Sequence, residues 1–241
     1  MSDKPGCPTD KGHILSRFDG DLGRFREIVL DMGRRVQCEV DLAADALARC
    51  DVTKARKVTV EHRRVRDLDI DALEANARLY AIHQPVARDL RFVLTLSRAV
   101  YDLERISGEA LRVAEIAEAL YEIQPSSQDN VIFEDVRRMH KPVADLLDRC
   151  LRAVAEENVQ IAVGVALDGK ELGELFKASI RRLATYLMED PRNIRLVIDA
   201  TLGIKAMERI GDHACSIARN LIYSVTGKDV RHVNVASLDA G

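Results

Sequence analysis

Two carboxylates four residues apart in MERIGDHA, Glu208 and Asp212, are the first candidates for chemistry in this chain. On a helix that spacing stacks them on one face, a turn apart, where like charges repel mildly. A bound cation would reverse that repulsion. Ligand sets made only of carboxylate oxygens suit hard or borderline ions such as Mg²⁺, Mn²⁺, Ca²⁺ or iron. A solvated acidic face is the competing explanation, because acidic pairs are common on exposed helices. Glu104 occupies the matching place earlier in the chain, but Gly108 stands where its partner acid would be, with Asp102 and Glu109 as shifted candidates. Asp67 and Asp71 form another pair four apart, beside Asp69 and Glu74. They would face Glu104 if their two helices packed side by side. Asp168, Glu171 and Glu174 make a weaker set. Arg105 and Arg209 follow Glu104 and Glu208 directly. A guanidinium there suits a phosphate or a partner's carboxylate, or an ion pair with the neighbouring acidic helix. His213, next to Asp212, is read as a ligand or a solvated neighbour.

Other chemistries leave no trace. The sequence has no G-x-x-x-x-G-K-[ST] loop, no G-x-G-x-x-G, no H-E-x-x-H and no Glu-x-x-His pair. It also lacks a G-x-S-x-G elbow. With no evident nucleophile and base, the expectation is that the chain is not an enzyme. Its formal net charge of −3 and pI near 6.1 argue against nucleic acid as a partner. There is no run of apolar residues long enough to cross a membrane. Residues 1–12 are polar, unlike a signal peptide. These features predict a cytoplasmic protein. The five cysteines are scattered without a C-x-x-C, which suits buried or inert thiols.

The elements that would position these residues are all helices. The chain is 47% hydrophobic but only 4% aromatic, so its core is aliphatic, and it is poor in Gly and Pro. A first helix is expected from about Ile14 to Ala48, with Phe18, Leu22, Phe25, Val29, Met32 and Val36 on one stripe. A second spans about Lys54 to Ile82, with a stripe of Val65, Leu68, Ala72, Ala75, Leu79 and Ile82. A third begins at Pro85, which suits a first helical turn. Its stripe runs from Leu96 through Leu103 and Ile106 to Leu120. Residues 123–130, IQPSSQDN, read as a linker. Three more helices follow: about Phe133 to Glu157 with Pro142 as a kink point, about Val159 to Met188, and one from Pro191 with Asp190 as N-cap. Residues 1–13 and 228–241 read as tails. The two repeats therefore span 14–122 and 131–227.

Displacing the third helix by 104 residues puts Leu103-Glu104-Arg105-Ile106 on Met207-Glu208-Arg209-Ile210. Ala99 then falls on Gly203, Ala110 on Ala214, and Arg88 and Arg91 on Arg192 and Arg195. A match that stays in phase this long implies internal duplication. The expected fold is all-α: two tandem three-helix bundles of six long helices, elongated in shape.

Three stretches resemble the PhoU family of phosphate-signalling proteins: HQPVARDLRFV (83–93), YDLERI (101–106) and MERIGDHACSIARNLIYSVTGKDVRH (207–232). MGRRV (32–36), ADAL (44–47) and MEDPRNI (188–194) add to the likeness, which spans roughly residues 15–232. The resemblance implies a cytoplasmic adaptor and negative regulator of the phosphate-starvation response. Such an adaptor links the ATPase subunit of a phosphate ABC transporter to a sensor histidine kinase and restrains uptake when phosphate is plentiful. It further implies a homodimer that reaches the membrane only through its partners. Divalent metal or iron (Mg, Mn, Fe or Zn) is implied on E/D-x-x-x-D faces, here Glu208, Asp212, Glu104, Asp67 and Asp71. Arg105 and Arg209 are the partner-binding candidates. Gly108 and Asn158 depart from the family's acidic pattern, as does LDGKELGELF (167–176). A regulator of a different phosphate or cation transporter, a metal-binding helical protein and a plain coiled coil are the alternative expectations.

Overall fold

The computed structural model describes residues 11–123, 130–228 and 230. The expected tails and the 123–130 linker lie largely outside the described residues. The elements are α1 (Lys11–Arg49), α2 (Val52–His83), α3 (Ala87–Ile123), α4 (Asn130–Glu156), α5 (Val159–Glu189) and α6 (Ile194–Thr226), with a 3₁₀ turn at Pro191–Asn193. No strand occurs among the described residues.

The predicted stripes are the buried ones. On α6, Ala200, Gly203, Met207, Ile210, Ala214, Ile217, Leu221 and Ser224 are all buried. On α3 the whole stripe from Leu96 to Leu120 is buried too. Ile82 is the exception at 47% exposure; it is the neighbouring His83 that turns to α1, against Asp21 and Phe18. Each stripe buries aliphatic area worth about 25 cal/mol per Å².

Helices α1–α3 form one set and α4–α6 the other. The sets meet through α3 against α6 and α1 against α4, while α2 and α5 pack extensively only on their own sets. Small residues permit the closest approaches. A Cβ at Gly203 would lie 2.4 Å from Leu47 Cδ2, and one at Gly33 would lie 2.4 Å from Leu151 Cδ2.

The duplication extends to the turns. α1 and α4 each run into one residue with left-handed backbone, Cys50 (φ 52°) and Glu157 (φ 51°). The next residue caps the following helix: Asp51 accepts from Lys54 N at 3.1 Å, and Asn158 accepts from Ile161 N at 3.2 Å. A side-chain oxygen at this position satisfies a donor that the first helical turn leaves unpaired. Asn158 does this as well as Asp, so its departure from an acid costs the turn nothing. The C-termini of α1 and α4 are also treated alike: Arg137 donates to Ala48 O at 3.2 Å, and Arg26 donates to Ala155 O.

Two expected boundaries move. Gln84 is the left-handed C-cap of α2 (φ 46°), which turns the chain before Pro85. Pro85 therefore lies in the corner rather than in the first turn of α3, and Leu90 N bonds back to Val86 O. Asp190 caps as expected, accepting from Arg192 N, but it caps the 3₁₀ turn, and α6 begins at Ile194. Pro142 sits inside α4 without ending it. It withdraws one helical donor from the Arg138 carbonyl.

Gly108 lies mid-helix in α3, and a Cβ there would meet nothing within 4 Å. Gly108→Ala is therefore expected to stabilise by about 0.5–1 kcal/mol, through the lower entropy of the unfolded chain. Gly203→Ala should destabilise, since Leu47 must give way. Urea unfolding of the two variants reads the difference in sign.

Candidate functional site

The duplicated helices α3 and α6 lie antiparallel against each other, and a series of polar side chains joins them along this seam. Arg91 Nε donates to Ser224 O at 3.1 Å, Thr95 Oγ1 donates to Asn220 O at 3.1 Å, and Arg98 donates to Asn220 Oδ1 at 3.1 Å. Further along, His213 Nδ1 donates to Asp102 Oδ1 at 2.9 Å, and Arg209 donates to Glu109 Oε1 at 3.1 Å. Arg112 adds a longer contact to Glu109 at 3.7 Å. Ile106 and Ile210, 0% and 1% exposed, lie between the last two cross-set pairs. They mark the centre about which the two repeats are related.

The seam reassigns several residues. His213 is neither a ligand nor a solvated neighbour; it is tied to Asp102 of the other repeat. Asp102 and Glu109, weighed as shifted ligands, are buried partners of His213 and Arg209. Of the two arginines paired by sequence, Arg209 is committed to Glu109. Arg105 is exposed and makes no ion pair among the described residues.

The acidic candidates do not converge. Glu208 is part-buried, and the Lys205 ammonium rests on it while lying 4.9 Å from the centre of the Phe176 ring. Asp212 is on the exposed side of α6, and partial desolvation, then the Glu208 charge, raise its carboxyl above the ordinary range. Glu104 borders a groove between α2 and α3, but the acid across that groove is Asp69. Asp67 and Asp71 do not face it. The α2 positions turned to α3 follow the 3.6-residue period through His62, Asp69, Ala72 and Asn76. Residues two before or two after Asp69 therefore point elsewhere. Asp71 lines the cleft with α1, beside Asp21, Arg24, Glu74 and Arg78, and Asp67 is exposed. On α5, Asp168 accepts from Arg149 at 2.6 Å and Glu174 from Lys177 at 2.8 Å.

No group of three or more His, Cys, Asp or Glu among the described residues is placed to hold a metal ion. Where a cation would sit on Glu208, the chain supplies its own ammonium. Among the described residues, Glu208, Asp212, Glu104, Asp67 and Asp71 are thus not brought together as a metal-holding set. Lys205→Met is expected to leave Glu208 and Asp212 as a bare pair that binds Mn²⁺ more strongly than the parent chain does. Calorimetric titration of both proteins with Mn²⁺ checks this; equal heats would contradict it.

What the outer face of α3 and α6 does offer is binding chemistry. Tyr101 is 63% exposed next to Arg98 and Arg105, and Leu94 and Ile198, at equivalent positions of the two helices, are 42% and 51% exposed. Ile194 and Leu202, at 53% and 50%, make a separate apolar row with Ile198 on α6, which the antiparallel seam places at the opposite end from Leu94. Guanidinium and large apolar groups side by side are the usual anchors of protein interfaces. Sequence periodicity separated this face from the core but could not show which arginine was left free.

Comparison with known proteins bears on what such a face contacts. A family model described as "PhoU domain" matches residues 29–117 and 136–221, once in each helical set. The chain is 35% identical over 228 residues to the phosphate-specific transport system accessory protein PhoU homolog of Pseudomonas putida, covering 95% of this chain and 88% of that protein. It is 30% identical over 227 residues to the phosphate-specific transport system accessory protein PhoU of Escherichia coli K12, covering 94% and 92%. The crystal structure of PhoU from Pseudomonas aeruginosa superposes with a TM-score of 0.83 at 35% identity, covering 88% of this chain and 100% of that one. That of the phosphate transport system regulatory protein PhoU from Streptococcus pneumoniae gives 0.79 at 25% identity, covering 88% and 99%.

Proposed function

The chain belongs to the PhoU family, and from that premise we propose that it is an accessory regulator of phosphate uptake that works by binding. Its partners under this proposal are the ATPase subunit of a phosphate ABC transporter and a sensor histidine kinase. It holds the starvation response off and restrains uptake when phosphate is plentiful. It acts as a homodimer on the cytoplasmic side. No described helix is long and apolar enough to cross a membrane, so membrane complexes are reached through those partners. The observation that carries the proposal is near full-length likeness to proteins named as accessories of the phosphate-specific transport system.

The mechanism is a shift in a partner's conformational equilibrium. A bound regulator moves such an equilibrium only by as much as its affinity differs between the partner's two states. Arg105, with no ion pair among the described residues, and the exposed Leu94 and Tyr101 on the same stretch of α3 are the residues assigned to that contact. Arg209 serves the seam instead. Glu208 and Asp212 have no catalytic or metal role in this mechanism.

Deleting the gene in its own host tests the proposal. A phosphate-starvation reporter is expected to switch on in phosphate-rich medium, to be silenced by the parent gene, and to stay on with Arg105→Glu. A reporter indifferent to the deletion would overturn the proposal and point to another transporter.

A further inference from the structure

The first three-helix set contains a buried polar layer at a level where the second set is apolar. Glu39 of α1 is 0% exposed, and neither carboxylate oxygen has a hydrogen-bond partner among the described residues. Ser107 of α3, also 0% exposed, lies beside it and works against the upward push of burial on its carboxyl. The Ser107 hydroxyl is 2.8 Å from His62 Nδ1 of α2. Each helix of the set thus supplies one polar side chain to the same place.

The duplication provides an internal control. The repeat register that equates Asp51 with Asn158 equates Glu39 with Leu146 and His62 with Gly169; that of the third and sixth helices equates Ser107 with Gly211. In the second set this layer is apolar and tight. A Cβ on Gly211 would lie 3.6 Å from Leu146 Cδ2 and 2.1 Å from Leu172 Cδ2, and one on Gly169 would lie 2.4 Å from Cys215 Sγ. The fold closes without polar groups here, so Glu39, Ser107 and His62 are not a requirement of the architecture.

A bare buried carboxylate is heavily penalised unless something neutralises it. No cation does so from the packed elements. Arg35, on the same helix, is committed to Asp31 and Glu61. Glu61 of α2 is the charged group acting on Glu39, and being negative it opposes ionisation further. Burial and the Arg66 charge hold His62 towards its neutral form, against the opposing fields of Glu104 and Glu115 on α3. From α4, His140 engages Asp41 rather than Glu39. No metal-holding group includes these residues.

We propose that Glu39, Ser107 and His62 form a buried proton-binding site, with one proton stored on Glu39 and exchanged with solvent through His62. The inference does not rest on the proposed regulatory function. In the loaded state the Glu39 carboxyl donates to Ser107 Oγ, the Ser107 hydroxyl donates to His62 Nδ1, and His62 carries its hydrogen on Nε2. On release, the Glu39 proton passes to Ser107, the Ser107 proton passes to His62 Nδ1, and the Nε2 proton leaves to water. One proton is lost and no other bond changes. His62 is the exit because it alone of the three is not fully buried. The unloaded state puts a carboxylate in the core near Glu61, which loosens α1 against α2 and α3 while leaving the second set alone.

The pH window follows from burial, which pushes the Glu39 carboxyl up from 4.5 to about 8. The folded chain then keeps a proton that the unfolded chain has released. Stability is therefore full below about 4.5, falls as pH rises towards about 8, and levels off above it. Within that window the folding equilibrium constant drops about tenfold per pH unit on account of this group.

Urea unfolding of the full chain from pH 5 to 9, for the parent, Glu39→Gln and Glu39→Leu, tests the proposal together with a ¹³C NMR titration of the glutamate carboxyls. The difference between parent and Glu39→Gln isolates this residue from every other titrating group. The expected result is a parent that weakens with pH by about one proton more than either variant. One glutamate signal, missing from Glu39→Gln, should titrate near 8. Glu39→Leu imitates Leu146; the near-isosteric Gln variant keeps the test valid if the Leu variant packs badly. A Gln variant with the parent's full pH slope, or a parent whose glutamates all titrate in the ordinary range, overturns the proposal.

Discussion

Ile210→Ala is expected to destabilise the whole molecule by about 2–5 kcal/mol, and Ile106→Ala by a similar amount. Both side chains are fully buried where α3 and α6 cross. Removing three carbons there forfeits transfer energy and leaves a cavity that two long, stiff helices cannot close. Because α3 and α6 each serve their own set and the seam, the damage is shared. Circular dichroism at 222 nm during urea unfolding should show one cooperative transition at lower urea, with its slope unchanged. The double variant should depart from additivity, as neighbouring sites do. A transition split into two halves, with one repeat unaffected, would mean that the seam is a weak contact between independent bundles.

His213→Ala should cost about 2–3 kcal/mol, and more than Asp102→Ala. The asymmetry comes from burial: the Asp102 side chain is 9% exposed and that of His213 is 24% exposed. Losing the histidine strands a buried carboxylate, whereas losing the aspartate leaves a part-exposed imidazole that reaches water. Thermal unfolding of both variants at neutral pH ranks them. Equal losses would mean that the hydrogen bond itself, rather than the stranded charge, sets the cost.

The architecture was legible because long stripes of three-four period admit few alternatives, and because a duplicated Glu-Arg-Ile fixes which helices correspond. The stripes of α3 and α6 are buried residue for residue. The site was less legible, because convergence depends on helix rotation. Asp67 and Asp71 shared the spacing of a ligand pair, but Asp69 between them is the residue turned towards Glu104. His213 drew notice for its neighbour Asp212, yet its partner is in the other repeat and no local pattern marks it. Glu39 was overlooked although a signal existed. It continues the apolar stripe of Met32 and Val36 towards Ala43, a place where an acid can only be buried. The start of α3 was misplaced because Pro85 suits a first turn and a corner equally, and the left-handed Gln84 decides between them.

The decisive measurement is the affinity of the purified chain for the phosphate transporter's ATPase subunit, with the parent and Arg105→Glu compared by calorimetry. Saturable binding by the parent is expected, weakened about tenfold or more by the charge reversal. Helicity and urea midpoint should be unchanged, since Arg105 is exposed and makes no ion pair among the described residues. A folded parent that binds neither the ATPase subunit nor the kinase's cytoplasmic region would contradict the proposed role.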